Sequence, residues 1–86
     1  MANHVSADKR NRQRIVKTLR NRSVRTAVRN ALRSARAALA AGDKSAALTP
    51  VRNAAVLLAR AVSKGVLHQK TAARTTSRIE SALAKL

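Results

Sequence analysis

The sequence predicts an all-α fold: a three-helix up-down-up bundle whose long first helix projects as a basic arm. Three observations predict it. Alanine and arginine, both strong helix formers, dominate the chain. Only two glycines and one proline punctuate its 86 residues. Apolar residues recur at helical spacing, and no segment sustains the period-two alternation of a strand. At this length one domain is the natural unit, 1–86, divided into an arm, 1–22, and a bundle, 23–86.

The first helix is expected from about Ser6 or Asp8 to Ala41, with Ser6 as N-cap and Asp8 favourably placed near the helix dipole. Val24, Val28, Ala31, Leu32, Ala35 and Leu39 form one apolar face. Before Val24 the pattern changes. Lys9, Arg10, Arg12, Arg14, Lys17 and Arg20 point in nearly every direction, and Ile15, Val16 and Leu19 interrupt them without forming a wide stripe. A helix charged all round has no face to bury, so this half should leave the bundle. By composition alone it could equally be a disordered basic tail.

Gly42 and Gly65 mark helix ends, where a left-handed residue closes the last turn. The second helix ends at Lys64 and has two candidate starts, Asp43 and Thr49-Pro50. Proline inside a helix removes a hydrogen bond, so a break or kink is expected near Leu48 to Pro50. Val51, Ala54, Ala55, Leu58, Ala61 and Val62 form its core face. The third helix is expected over Gln69 to Lys85, with Ala72, Ile79, Ala82, Leu83 and Leu86 along one side. The connections at Gly42-Asp43 and Gly65–His68 allow only turns, which makes successive helices antiparallel neighbours.

Charge bounds the partner. Nineteen Lys and Arg face three acids, Asp8, Asp43 and Glu80, for a formal net charge of +16. Such a chain repels itself until a polyanion neutralises it. The chain has no Phe, Tyr or Trp. Single-strand binders use aromatic platforms, and interfacial membrane helices need a stronger apolar face than Ala and Val provide. What remains is contact with the backbone and grooves of a folded, largely double-stranded nucleic acid. The absence of cysteine excludes disulfides and thiolate metal sites. No apolar leader or membrane-length segment is evident, so a cytoplasmic location is expected, with no membrane partner.

The strongest pattern is the row Arg22, Arg25, Arg29, Arg33 and Arg36. Its spacings of 3, 4, 4 and 3 put all five on one face of the first helix. Like charges at these spacings destabilise an isolated helix, and no acid relieves them. An ordinary solvated face mixes signs; a row of guanidinium forks suits phosphates along a groove. A second row, Lys70, Arg74, Arg78 and Lys85, lies on the third helix, with Glu80 as partial compensation. Two basic faces suggest contact with more than one nucleic-acid segment. Lys64 and His68 flank the turn between them, and His68 is expected there as a cap or a contact. His4 and His68 have no Cys, Asp or Glu at ligand spacing, so no metal is expected. Three scattered acids supply no paired general acid and base, and there is no Gly-rich phosphate loop. No enzyme, cofactor or small-molecule substrate is expected.

Several stretches resemble a known family. They include Met1-Ala2-Asn3-His4 with Ser6-Ala7 and Lys9-Arg10, then Leu19-Arg20-Asn21-Arg22-Ser23, and Ala41-Gly42-Asp43-Lys44. The most specific is Ala61-Val62-Ser63-Lys64-Gly65-Val66-Leu67-His68, continuing through Thr71-Ala72-Ala73-Arg74 to Ser77-Arg78. Over its whole length the chain resembles the S-twenty family of bacterial small-subunit ribosomal proteins. The resemblance implies a three-helix bundle that binds small-subunit ribosomal RNA early in assembly, at its 5′ domain and its penultimate stem, beside other small-subunit components. The spacing of the cations reaches only as far as a structured nucleic acid. The chain departs from the family pattern at Val5, Val16, Thr18 and Thr75-Thr76, and at Pro50 within the second helix. A nucleoid-type DNA-binding protein is the alternative from charge alone. It would need a dimer face or a minor-groove wedge. A membrane-active cationic helix is the other rival.

Overall fold

The structure is a computed structural model that describes residues 2–86, with side chains described from Val5 onward. Met1 lies outside the described residues, as do the side chains of Ala2, Asn3 and His4, together with the family-like start and the expectation for His4 that rest on them. The described residues form three helices and no strand: α1 (Ala2–Ala41), α2 (Lys44–Ser63) and α3 (Gln69–Ala84).

Helix α1 begins at Ala2, ahead of the expected start, so Ser6 and Asp8 lie inside it and Ser6 is not its N-cap. No Gly or Pro lies between Ala2 and Ala41. Extending a helix backward over ordinary residues costs only a few tenths of a kcal/mol each, roughly. At 40 residues α1 is about 60 Å long, which matches the 64 Å longest dimension of the molecule. Helices α2 and α3 cover only its C-terminal half, and residues 5 to 20 are exposed throughout. The Cα radius of gyration is 17.5 Å, against about 12 Å for a compact chain of this length.

Gly42 (φ 81°) and Gly65 (φ 74°) close α1 and α2 in the left-handed region, which a side chain would strain. At Gly65 the closure is a Schellman motif. The Gly65 N–H donates to the Val62 carbonyl (3.0 Å) and the Val66 N–H to the Ala61 carbonyl (2.9 Å). Val66 and Ala61 then pack in the same core cluster. Helix α2 stops at Ser63 and α3 at Ala84, with Lys64 and Lys85 as C-caps, one residue short of the expected ends.

Between its two candidate starts, α2 uses Asp43. The Asp43 carboxylate accepts from the N–H groups of Ser45 (3.0 Å) and Ala46 (3.3 Å). The helix runs through Pro50 without the expected break. Pro50 still lacks an N–H, so the Ala46 carbonyl loses its usual helical donor. Burial outweighs that loss. Ala47 before the proline and Val51 after it are both at most 1% exposed, which holds the two sides of Pro50 on one face.

Two clusters set the topology. Val28, Leu58, Ala61, Val66 and Ala72 form one; Ala35, Val51, Ala54 and Ile79 form the other. From the first to the second, numbering rises along α1, falls along α2 and rises along α3, which is the up-down-up order. Leu32 packs against both clusters from a half-buried position. Among the described residues, five of the ten buried apolar side chains are alanine, so the helices approach closely but bury little volume. Leu86, expected on the apolar side, is 44% exposed because it lies beyond the end of α3.

Candidate nucleic-acid interface

Every cation singled out by spacing is exposed. This holds for Lys9, Arg10, Arg12, Arg14, Lys17 and Arg20 on the arm, and for Arg22, Arg25, Arg29, Arg33 and Arg36 on the bundle half of α1. It holds equally for Lys64, Lys70, Arg74 and Arg78. The bundle brings one cation of each row together. Arg36 of α1 and Arg78 of α3 line one open groove, floored by Leu39, Ile79 and Ala82. The helices run parallel there. Val28 sits with Ala72 in one cluster and Ala35 with Ile79 in the other, at the same offset. By that register Arg29 lies about one residue short of the level of Arg74, and Arg33 about one residue short of that of Arg78. The rows that the sequence presents as two separate basic faces therefore meet at one groove, where each contributes one cation, Arg36 and Arg78.

The acids stay away from this groove. Asp43 is committed to capping α2, Glu80 lines the opposite groove between α2 and α3, and Asp8 lies on the arm. The face is thus of one sign along two helices. Arg74 Nε donates to the Lys70 carbonyl at 3.4 Å, which steadies the side chain and leaves its terminal nitrogens outward. The Thr75 hydroxyl donates to the Thr71 carbonyl at 3.0 Å. Thr75 therefore turns inward on its own helix.

His68 is the N-cap of α3. Its Nδ1 accepts from the Lys70 N–H at 3.1 Å. An accepting Nδ1 puts the ring proton on Nε2, so the exposed ring carries an outward donor beside Lys64 and Lys70. The sequence reading of His68 as a cap or a contact is resolved toward the cap, and the free edge still suits an anion.

The arm has cations on all sides. Arg10, Arg14, Lys17 and Asn21 border one strip. Arg12 lies with Val16 on another. Ile15, Val16 and Leu19 are each more than half exposed. Asn21 marks the junction: its side-chain oxygen is buried with no hydrogen-bond partner. Helix α2 adds cations that the spacing argument missed. Lys44, Arg52 and Arg60 are exposed, and Arg60 lines the groove between α1 and α2. The available signal was the polar side of α2, which carries Arg52, Asn53 and Arg60 opposite its core face. Among the described residues no group of three or more His, Cys, Asp or Glu could hold a metal ion. No described helix is long and apolar enough to cross a membrane.

Comparison with known proteins gives this geometry its context. The family model for ribosomal protein S20 matches residues 2–84. The chain belongs to the ribosomal protein S20 family. Relatives within that family are similar over nearly their whole length. The small ribosomal subunit protein bS20 of Solidesulfovibrio magneticus is 48% identical over 85 residues, covering 99% of this chain and 96% of the relative. The bS20 of Nitratidesulfovibrio vulgaris is 47% identical over 83 residues, covering 96% and 95%. That of Sorangium cellulosum is 48% identical over 85 residues, covering 99% and 89%. The S20 family match spans the α1 row, the α3 row as far as Arg78, and the arm from residue 2.

Proposed function

We propose that this chain is a structural component of the small ribosomal subunit, in the cytoplasm. It binds small-subunit ribosomal RNA directly through phosphate contacts and stabilises the folded RNA helices during assembly. One observation carries the reading: α1 and α3 each carry a row of exposed cations, and the rows meet at a groove lined by Arg36 and Arg78 and by no acid. Phosphates are the complement of such a face. Arginine forks bond them bidentately, and each contact releases condensed counterions. The arm cations extend the same contact beyond the bundle. The role is structural, not catalytic, and the names of the S20 relatives support the ribosomal setting. The family resemblance points to the 5′ domain and the penultimate stem as the RNA elements engaged, with other small-subunit components alongside.

The test is binding of the full chain to folded 5′-domain RNA, to the same RNA without magnesium, to duplex DNA and to anionic vesicles. The folded ribosomal RNA should bind most tightly. Preference for duplex DNA would favour the nucleoid reading, and equal affinity for all four would reduce the protein to a generic polycation.

A further inference from the structure

On the other side of α1, away from the arginine row, an open groove of about 530 Å³ separates α1 from α2. Asn30 and Ser34 line it from α1, and Asn53 and Arg60 from α2. None of these four side chains makes a hydrogen bond to the protein among the described residues. Its apolar wall is Pro50, Leu57 and Val56, and Val56 is 48% exposed, unusual for a large apolar side chain in this bundle. Pro50 also leaves the Ala46 carbonyl, one turn back, without its helical donor. The groove between α2 and α3 differs: it carries Glu80 and no cation.

We infer that the α1–α2 groove receives one unpaired nucleotide of the bound RNA. This rests on the reading of RNA as the partner and extends it to a second kind of contact. Charge complementarity selects the occupant, because the groove holds a guanidinium and no acid on a chain of net charge +16. The size suits it as well: small-ligand clefts span roughly 300–1,000 Å³. Unpaired bases are recognised by stacking on aromatic or guanidinium planes and by hydrogen bonds to their edges. This chain has no aromatic residue, so the apolar wall takes the face of the base. The Asn30 and Asn53 amides each offer a donor and an acceptor to its edge. Arg60 and Ser34 reach the adjoining phosphate and ribose. The cation rows read backbone shape; this groove would read a base.

The experiment maps 2′-hydroxyl acylation along folded 5′-domain RNA with the full chain bound. It compares wild type, the double variant Asn30→Ala with Asn53→Ala, and Arg60→Ala. All three positions are exposed, and alanine favours helix, so circular dichroism should be unchanged. In wild type an unpaired nucleotide should be protected. In the double variant that nucleotide should regain reactivity while the remaining footprint persists. Affinity should fall roughly threefold to tenfold, the scale of one or two neutral hydrogen bonds. Because asparagine is neutral, the salt dependence should not change; Arg60→Ala should reduce its slope by about one. An unaltered footprint and affinity in the double variant would overturn the inference and leave a solvated cleft. A wild type with no footprint at all would instead overturn the RNA reading itself.

Discussion

Replacing Leu58 with alanine tests the packing that holds the two basic rows in register. Leu58 is 2% exposed and contributes from α2 to the cluster of Val28, Ala61, Val66 and Ala72. A buried Leu→Ala change costs about 2–5 kcal/mol, the lower end where neighbours can collapse into the space. Here the neighbours are small and already close, so collapse is limited and about 3 kcal/mol is the working figure. A domain of this size has a total stability on the order of 4–13 kcal/mol, and self-repulsion places this one toward the low end. In a domain of 60–100 residues each kcal/mol moves Tm by about 4–8 °C, so Leu58→Ala should lower it by roughly 12–24 °C. Leu32→Ala is the control. Leu32 is only half-buried and should cost about half as much. Urea and thermal unfolding followed at 222 nm give both numbers. If Leu58→Ala matched wild type, or Leu32→Ala proved the more damaging, the assignment of α2's buried face would be wrong.

The remaining predictions concern helix ends and the arm. Asp43→Ala and His68→Ala should each destabilise the bundle by about 1 kcal/mol through loss of an N-cap. His68→Asn should restore stability, and any loss of RNA affinity that remains would report the imidazole Nε2 donor. Amides from Val5 to Arg20 should exchange fast in the free protein, because an unburied helical segment of this length is marginal alone, and should become protected on RNA. Strong protection in the free state at low salt would refute that.

The helix-forming composition, the glycine stops and the apolar faces were legible because each is a local property. Val28, Ala35, Leu58 and Ile79 follow their helical period and are buried where it puts them. The break expected at Pro50 does not occur, for the opposite reason. Its local penalty is real, but Ala47 and Val51 on either side are buried together, and packing decides the outcome. The start of α1 was misplaced because Ser6 and Asp8 favour caps without requiring them. Each cation row could be seen on its own helix, whereas their meeting at Arg36 and Arg78 depends on the parallel register of α1 and α3, which no single-helix spacing encodes. The same limit hid the α1–α2 groove, whose polar residues belong to two helices and look like ordinary surface on each.

The central claim is that paired rows of cations bind RNA phosphates, and its most direct test is the salt dependence of affinity for folded 5′-domain RNA. Wild type should be compared with Arg29→Ala, Arg33→Ala, Arg74→Ala and Arg78→Ala combined, and thermal melts should confirm that the variant folds. Each phosphate contact contributes about −0.9 to the log–log slope on duplex DNA, taken here as a guide for folded RNA. Engagement of both rows and part of the arm should give wild type a slope on the order of −6 to −10. Losing four contacts should make it shallower by about 3 to 4. A wild-type slope near −2, or a folded variant with the wild-type slope, would contradict the account.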